Sequence, residues 1–307
     1  MQRNSIPVLV GIAVALLIGE SIAQLVSAEL PPASSWPTGE MELKSRQLAE
    51  AGGEADVVII GTSSSGAAID PDLLANLTKL GVIYNAAIAV STPVTNAVWL
   101  EDVVLQHASP DLVIVGIAPT PVQGVGEAFI RATENAATTE HGRLSEVALI
   151  RHRGVLADWD SQMARKHLVA SGLWNESGHI NLYYGRIASS LAPDWVPVRS
   201  EADYRSIELA LEKMVRAVHL TGADIVFVIE PFCCAGAVED PMVIEYLEWL
   251  KTVAEASRVE LWDLYSIGWS PDLYADPSHF NKPGTEGYTR RLAELIRERF
   301  VEVAAAR

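Results

Sequence analysis

The segment DVVIIGTSSSGAAIDPDLL (residues 56–74) decides the fold. After Asp56 its opening run is apolar and β-branched with no proline, the composition of a strand buried on both faces. Gly61 then permits a sharp turn, and the small polar residues that follow lead into a helix start. Working outward, four more runs carry the strand signature: VIY (82–84), LVIVGI (112–117), DIVFVI (224–229) and VELWD (259–263). Amphipathic segments separate them. The clearest places Ile207, Leu211, Met214, Val215 and Val218 on one helical face. The last does the same with Tyr288, Leu292, Leu295, Ile296 and Phe300, leaving Arg290, Arg291, Arg297 and Arg299 as a solvated set. Strands alternating with helices predict an α/β three-layer sandwich around a five-stranded, mainly parallel, doubly wound sheet.

Composition sets the outer limits. A chain of 307 residues, 49% hydrophobic, can bury one large domain and carry appendages. Its 39 acidic and 23 basic side chains give a formal charge of −16, which repels phosphate backbones and argues against a nucleic-acid partner. The charge is a solubility property rather than a clue to substrate. The two cysteines, Cys233 and Cys234, are adjacent. A mutual disulfide there is strained, so they read as two small buried residues in a strand-to-helix loop. His107, His141, His152, His167, His179 and His219 lack the paired spacing of a metal motif, so no metal and no cofactor is expected.

The N-terminus reads as an address. After MQRNS comes the apolar run IPVLVGIAVALLIG (6–19), then ESIAQLVSAEL and the proline-rich PPASSWPTGE. Counted through to Val26, the segment is long enough to span a bilayer, with Glu20 as its one costly member. Residues 1–28 therefore read as a signal anchor, with a signal peptide cleaved after Ala28 as the alternative. Arg3 keeps the N-terminus inside and places the rest of the chain outside the cytoplasm. Residues 29–54 read as a stalk and 55–307 as the main domain, interrupted at about 120–200 by an insertion covering the site. Trp159, Trp174, Trp195, Tyr183 and Tyr184 in that insertion either pack it onto the domain or stack on sugar rings.

In a doubly wound sheet, the loops at the carboxyl ends of the strands form the functional crevice, and Ser63 sits in the first of them. By itself that is a weak signal, because serine hydroxyls also cap helices. A serine nucleophile needs a base, and the base needs a carboxylate to fix its tautomer. DPSHFNKPG (276–284) offers both on one turn, with Asp276 three residues before His279, just ahead of the final helix.

GTSSS after the first strand and DPSHFNKPG before the last helix resemble the first and last sequence blocks of the SGNH, or GDSL-like, hydrolase superfamily. The resemblance covers roughly residues 55–303. It implies a flavodoxin-like sheet, Ser63 as nucleophile, and Asp276 and His279 as the remaining triad members. It also implies the Ser63 backbone amide as one oxyanion donor. The family's second-block glycine and third-block asparagine have no evident counterpart in YNAAIAVSTP (84–93) or VGIAPTP (115–121). Asn85, or an amide near Ala89 to Ser91, is the candidate second donor; Asn85 reads equally well as a strand-end residue satisfying loop backbone.

Gly61-Thr62-Ser63 stands where Gly-Asp-Ser is commoner. The following IDPDLL resembles an extracytoplasmic branch that includes polysaccharide O-acetyltransfer proteins and the D-alanyl transfer proteins of lipoteichoic acid assembly, often anchored by one N-terminal helix. The implied function is a serine esterase or O-acyltransferase acting on acyl groups of a cell-envelope or exported glycan. Its implied partners are that acylated substrate, the membrane through the N-terminal helix, and envelope-assembly proteins. The alternative is a catalytically inactive SGNH-like binding or assembly component, which the missing asparagine allows.

Overall fold

The computed structural model describes residues 14, 18, 38–50, 53–89, 91–119, 177–179, 201–230, 232–233 and 241–305. Helix α1 (Thr38–Glu50) precedes strand β1 (Ala55–Ile60), and the short helices α2 (Ser63–Ala68) and α3 (Pro71–Thr78) lead to β2 (Val82–Asn85). Helix α4 (Pro93–Trp99), prolonged through a π-helical turn to His107, leads to β3 (Leu112–Ile117). Then come α5 (Glu201–Thr221), β4 (Asp224–Ile229), α6 (Pro241–Ser257) and β5 (Glu260–Trp262). A small hairpin, β6 (Tyr274–Asp276) and β7 (His279–Phe280), opens into the final helix α7 (Lys282–Ala305).

The main sheet has the order β2-β1-β3-β4-β5, and each neighbouring pair is parallel. This is the flavodoxin-like order, whose winding reverses between β1 and β3 and opens a crevice beyond the carboxyl ends of those strands. The five expected runs are the five strands, with ends shifted by a residue: β1 starts at Ala55, β2 extends to Asn85, and β5 is trimmed to Glu260–Trp262.

Side chains alternate between the two faces, as the strand repeat requires. Val58, Ile60, Val113, Val115, Ile225 and Phe227 pack with α1, α4, α5 and α6. Val57, Ile59, Ile114, Val226 and Val228 pack with α2, α3 and α7. Both faces are thus covered by helices, which explains the near-continuous apolar strands.

The segment read as a stalk contributes to this core. In α1, Met41 and Leu48 are buried in the same cluster as β1 and α4, and Lys44 is completely buried. Lys44 Nζ donates to the carbonyls of Asn85 (2.9 Å), Ala87 (2.6 Å) and Gly178 (3.0 Å), while Glu40, one turn earlier, lies 3.8 Å away. Three carbonyls and a carboxylate make burial of the ammonium tolerable. Burial lowers its pKa from 10.5 to about 8, against the opposing charge of Glu40. Lys44→Met is expected to cost about 3–5 kcal/mol of stability at neutral pH, because those acceptors lose the ammonium they share. The folded pKa lies below the unfolded one, so the wild type's margin in urea unfolding should also rise between about pH 8 and 10.5. The methionine variant should lack that rise.

Of the expected N-terminal helix only Val14 and Ile18 are described, both helical and exposed. Among the described residues no helix is long and apolar enough to cross a membrane. The leader and the aromatic residues of the insertion otherwise lie outside the described residues. Within the insertion only Ser177–His179 is described, and it seats against edge strand β2: the Asn85 N–H donates to the Ser177 carbonyl at 2.8 Å.

Candidate active site

Strand β1 ends at Ile60, and Gly61-Thr62 turns the chain into α2, whose first residue is Ser63. Thr62 caps this helix, its side-chain oxygen accepting the Ser64 N–H at 3.1 Å. Ser64 and Ser65 point inward and are buried, while Ser63 is half-buried at the crevice. The three consecutive serines are therefore not equivalent. Only the first faces His279.

His279 comes from the C-terminal part of the sequence. The β6–β7 hairpin pairs Asp276 with His279 across the two-residue turn Pro277-Ser278. Asp276 Oδ1 accepts the backbone N–H groups of Ser278 (2.9 Å) and His279 (3.0 Å), so one carboxylate both shapes the turn and faces the ring. His279 Nδ1 lies 2.9 Å from both Asp276 oxygens, and Nε2 lies 2.9 Å from Ser63 Oγ. A carboxylate only accepts, so the proton sits on Nδ1 and leaves Nε2 as acceptor for the Ser63 hydroxyl. Burial alone would raise the Asp276 pKa; hydrogen bonds from His279 and Ser278, with the histidine's charge, outweigh it and hold the carboxyl below its ordinary value.

Helix α7 fixes the two halves together. Thr285 and Thr289, both fully buried, donate to the carbonyls of Ala67 (2.8 Å) and Ala68 (3.2 Å) in α2. The buried Asn281 starts α7, its side chain accepting the Gly284 N–H at 3.2 Å and donating to the Asp272 carbonyl at 2.7 Å.

Asn85 is not placed to act as an oxyanion donor. It is completely buried, and its side-chain amide donates to the carbonyls of Ser65 (3.1 Å) and Ile69 (3.0 Å). Its oxygen accepts the Ala87 N–H at 3.2 Å. With both amide hydrogens committed to α2 and its C-cap residue Ile69, this side chain buttresses that helix from behind. The nearby amides are also engaged: Ala86 with Ile59, Ile88 with Gly61, Ser91 with Ile88, and Ala89 with the Glu40 carboxylate at 3.0 Å. Among the described residues, the Ser63 N–H has no acceptor.

One residue, Glu230, escaped the sequence reading, and another, Cys233, was read differently. Glu230, immediately after β4, is fully buried and bonded to Thr62 and Ser65 on either side of Ser63. Cys233 is disulfide-bonded, and Cys234 is the one other cysteine in the chain, although it lies outside the described residues. The reading of Cys233 as an unlinked small buried residue is therefore corrected. The Cys233 N–H donates to the Pro277 carbonyl at 2.8 Å, tying this loop to the Asp276–His279 turn. Denatured, unreduced protein is expected to show no titratable thiol, and reduction should release two; finding thiols before reduction would contradict the bond.

No family model and no curated protein matches the chain. Its neighbours among solved structures are GDSL-like acylhydrolases and acetylxylan esterases. The acetyl xylan esterase AlAXEase shares 14% identity over 78% of this chain and 96% of its own, with a TM-score of 0.41. Axe2, an acetylxylan esterase from Geobacillus stearothermophilus, shares 18% identity over 80% of this chain and 94% of its own, with a TM-score of 0.41. A candidate GDSL-like lipase from Parabacteroides merdae shares 13% identity over 80% and 96%, with a TM-score of 0.43. At this distance, what the site does chemically is read from its own atoms.

Proposed function

We propose that this chain is a serine esterase or O-acyltransferase working through an acyl-Ser63 intermediate. One observation carries the reading: Ser63, His279 and Asp276 form a continuous hydrogen-bonded relay, 2.9 Å at each step, although Ser63 and His279 are 216 positions apart. In this mechanism His279 Nε2 takes the Ser63 proton as Oγ attacks an ester carbonyl, and Asp276 offsets the resulting imidazolium. The oxyanion faces the Ser63 N–H. Collapse expels the alcohol, which takes its proton from His279 and leaves the acyl group on Ser63. Water or a sugar hydroxyl, deprotonated by the same histidine, then accepts the acyl group and restores the serine.

The substrate class is an acylated cell-envelope or exported glycan, met outside the cytoplasm by a domain tethered through residues 1–28. The composition of that leader and the resemblance of IDPDLL support this setting. Proteins of an envelope-assembly complex are the corresponding partners. A second reading, a catalytically inactive component of such a complex, is favoured by one observation: the described amides of the loop after β2 are engaged within the protein.

Full-length protein incubated with an O-acetylated polysaccharide separates these outcomes. Free acetate marks hydrolysis, and acyl-sugar formed on an added acceptor marks transfer. Folded protein that yields neither marks the inactive component. Sequencing the mature N-terminus decides the tether, because a chain that starts at Glu29 has lost it.

A further inference from the structure

The geometry points to Glu230 as the positioning residue that sets the nucleophile turn, an inference that rests on the proposed acyl-serine chemistry. Its Oε1 accepts the Thr62 N–H (2.9 Å), the Ser65 N–H (3.3 Å) and the Ser65 hydroxyl (2.6 Å). Its Oε2 accepts the Thr62 hydroxyl at 2.8 Å. With its hydroxyl hydrogen directed at Glu230, Thr62 Oγ1 turns a lone pair toward the Ser64 N–H and caps α2. One carboxylate thus holds the residues on both sides of Ser63 and leaves Ser63 itself alone. The Ser63 hydroxyl is left for His279, and its amide is left pointing outward from the first turn.

The surrounding chain is built around this group. A carboxylate buried completely is costly unless several donors converge on it, and here four do. Room for it comes from two glycines at the ends of β1 and β3. A Cβ at Gly61 or at Gly116 would run into the Ser65 hydroxyl and press on Glu230 Oε1. The Glu230 backbone is fixed in turn, its N–H donating to the Ile117 carbonyl at 2.8 Å. Three residues farther on, Cys233 holds the Asp276–His279 turn through Pro277. The loop after β4 therefore registers both halves of the relay against each other.

The test compares full-length wild type, Glu230→Ala, Glu230→Gln and Thr62→Val with an activated acetyl ester, counting competent sites by phosphonate titration. Glu230→Ala is expected to lower turnover per titrated site by about 100-fold, the loss typical of a misplaced reacting group, with little change in KM. Glu230→Gln keeps Oε1 as acceptor and offers an N–H to Thr62 Oγ1, so it should recover activity to within about tenfold of wild type. A residue that only stabilised the fold would reduce the titratable fraction and the melting temperature but not the turnover of each competent site. If Glu230→Ala does not fold, Thr62→Val serves, with about a tenfold loss per site expected from one missing charge-assisted hydrogen bond. Unchanged turnover per site in the folded variants overturns the proposal. An inert wild type would instead overturn the acyl-serine reading. In that case crystal structures of Glu230→Ala or Thr62→Val still decide the positioning role: Ser63 Oγ should move out of hydrogen-bond reach of His279 Nε2, and a distance kept at 2.9 Å overturns it.

Discussion

Ser63→Ala is expected to lower turnover of an activated acetyl ester by on the order of 10⁴- to 10⁶-fold, as removal of a triad nucleophile does. The size of the effect follows from the inequivalence of the three serines. Ser65 donates its hydroxyl to Glu230 at 2.6 Å, and Ser64 is buried, so neither can turn to His279 in place of the lost group. The fold should hardly notice. Ser63 is half-buried, and its hydroxyl is hydrogen-bonded to His279, so the stability change should stay within about 0.5 kcal/mol. Steady-state kinetics beside a thermal melt check both parts; a variant with near-normal turnover would place the chemistry elsewhere.

Asp276→Asn should be almost as severe, with turnover lower by about 10⁴-fold. Asp276 Oδ1 accepts two backbone amides of the turn, so the asparagine oxygen is pinned there and its NH₂ is directed at His279 Nδ1. An amide that donates to Nδ1 drives the ring proton onto Nε2, the wrong tautomer for a base. The lost charge also leaves the imidazolium without its counterion. The substitution changes acid stability in a defined direction. The folded carboxyl titrates below its ordinary 3.8, so its contribution is full above that value and lost as pH falls through the folded pKa. The gap between wild type and Asp276→Asn in chemical unfolding should therefore narrow as pH drops below about 4. A gap that widens there would contradict the arrangement.

Strands β1 to β4 were legible because each is built on an apolar, β-branched run, a pattern that local composition alone produces; β5 is shorter and opens on the exposed Glu260. The convergence of Ser63 with Asp276 and His279 was legible because parallel topology brings successive strand ends to one crevice. Buried charge was not legible. Glu40 and Lys44 look like an ordinary solvated helix pair, and only partners 41 to 134 positions away reveal that they are enclosed. Glu230 carried a usable signal, since it is an acidic residue directly after an apolar strand, the placement that drew attention to Ser63. Asn85 was legible as a polar strand end but not in its role. An amide at that position serves either a substrate or the neighbouring helix, and the choice depends on where the carbonyls of Ser65 and Ile69 point.

The central claim is that one alcohol, activated by a histidine from the far end of the chain, is the reacting group. Treating the folded full-length protein with a serine-reactive phosphonate and mapping the adduct by peptide mass spectrometry tests it most directly. A single adduct on Ser63, abolished in His279→Ala, is the predicted result. No adduct, or one on another residue with Ser63 unmodified, would contradict it.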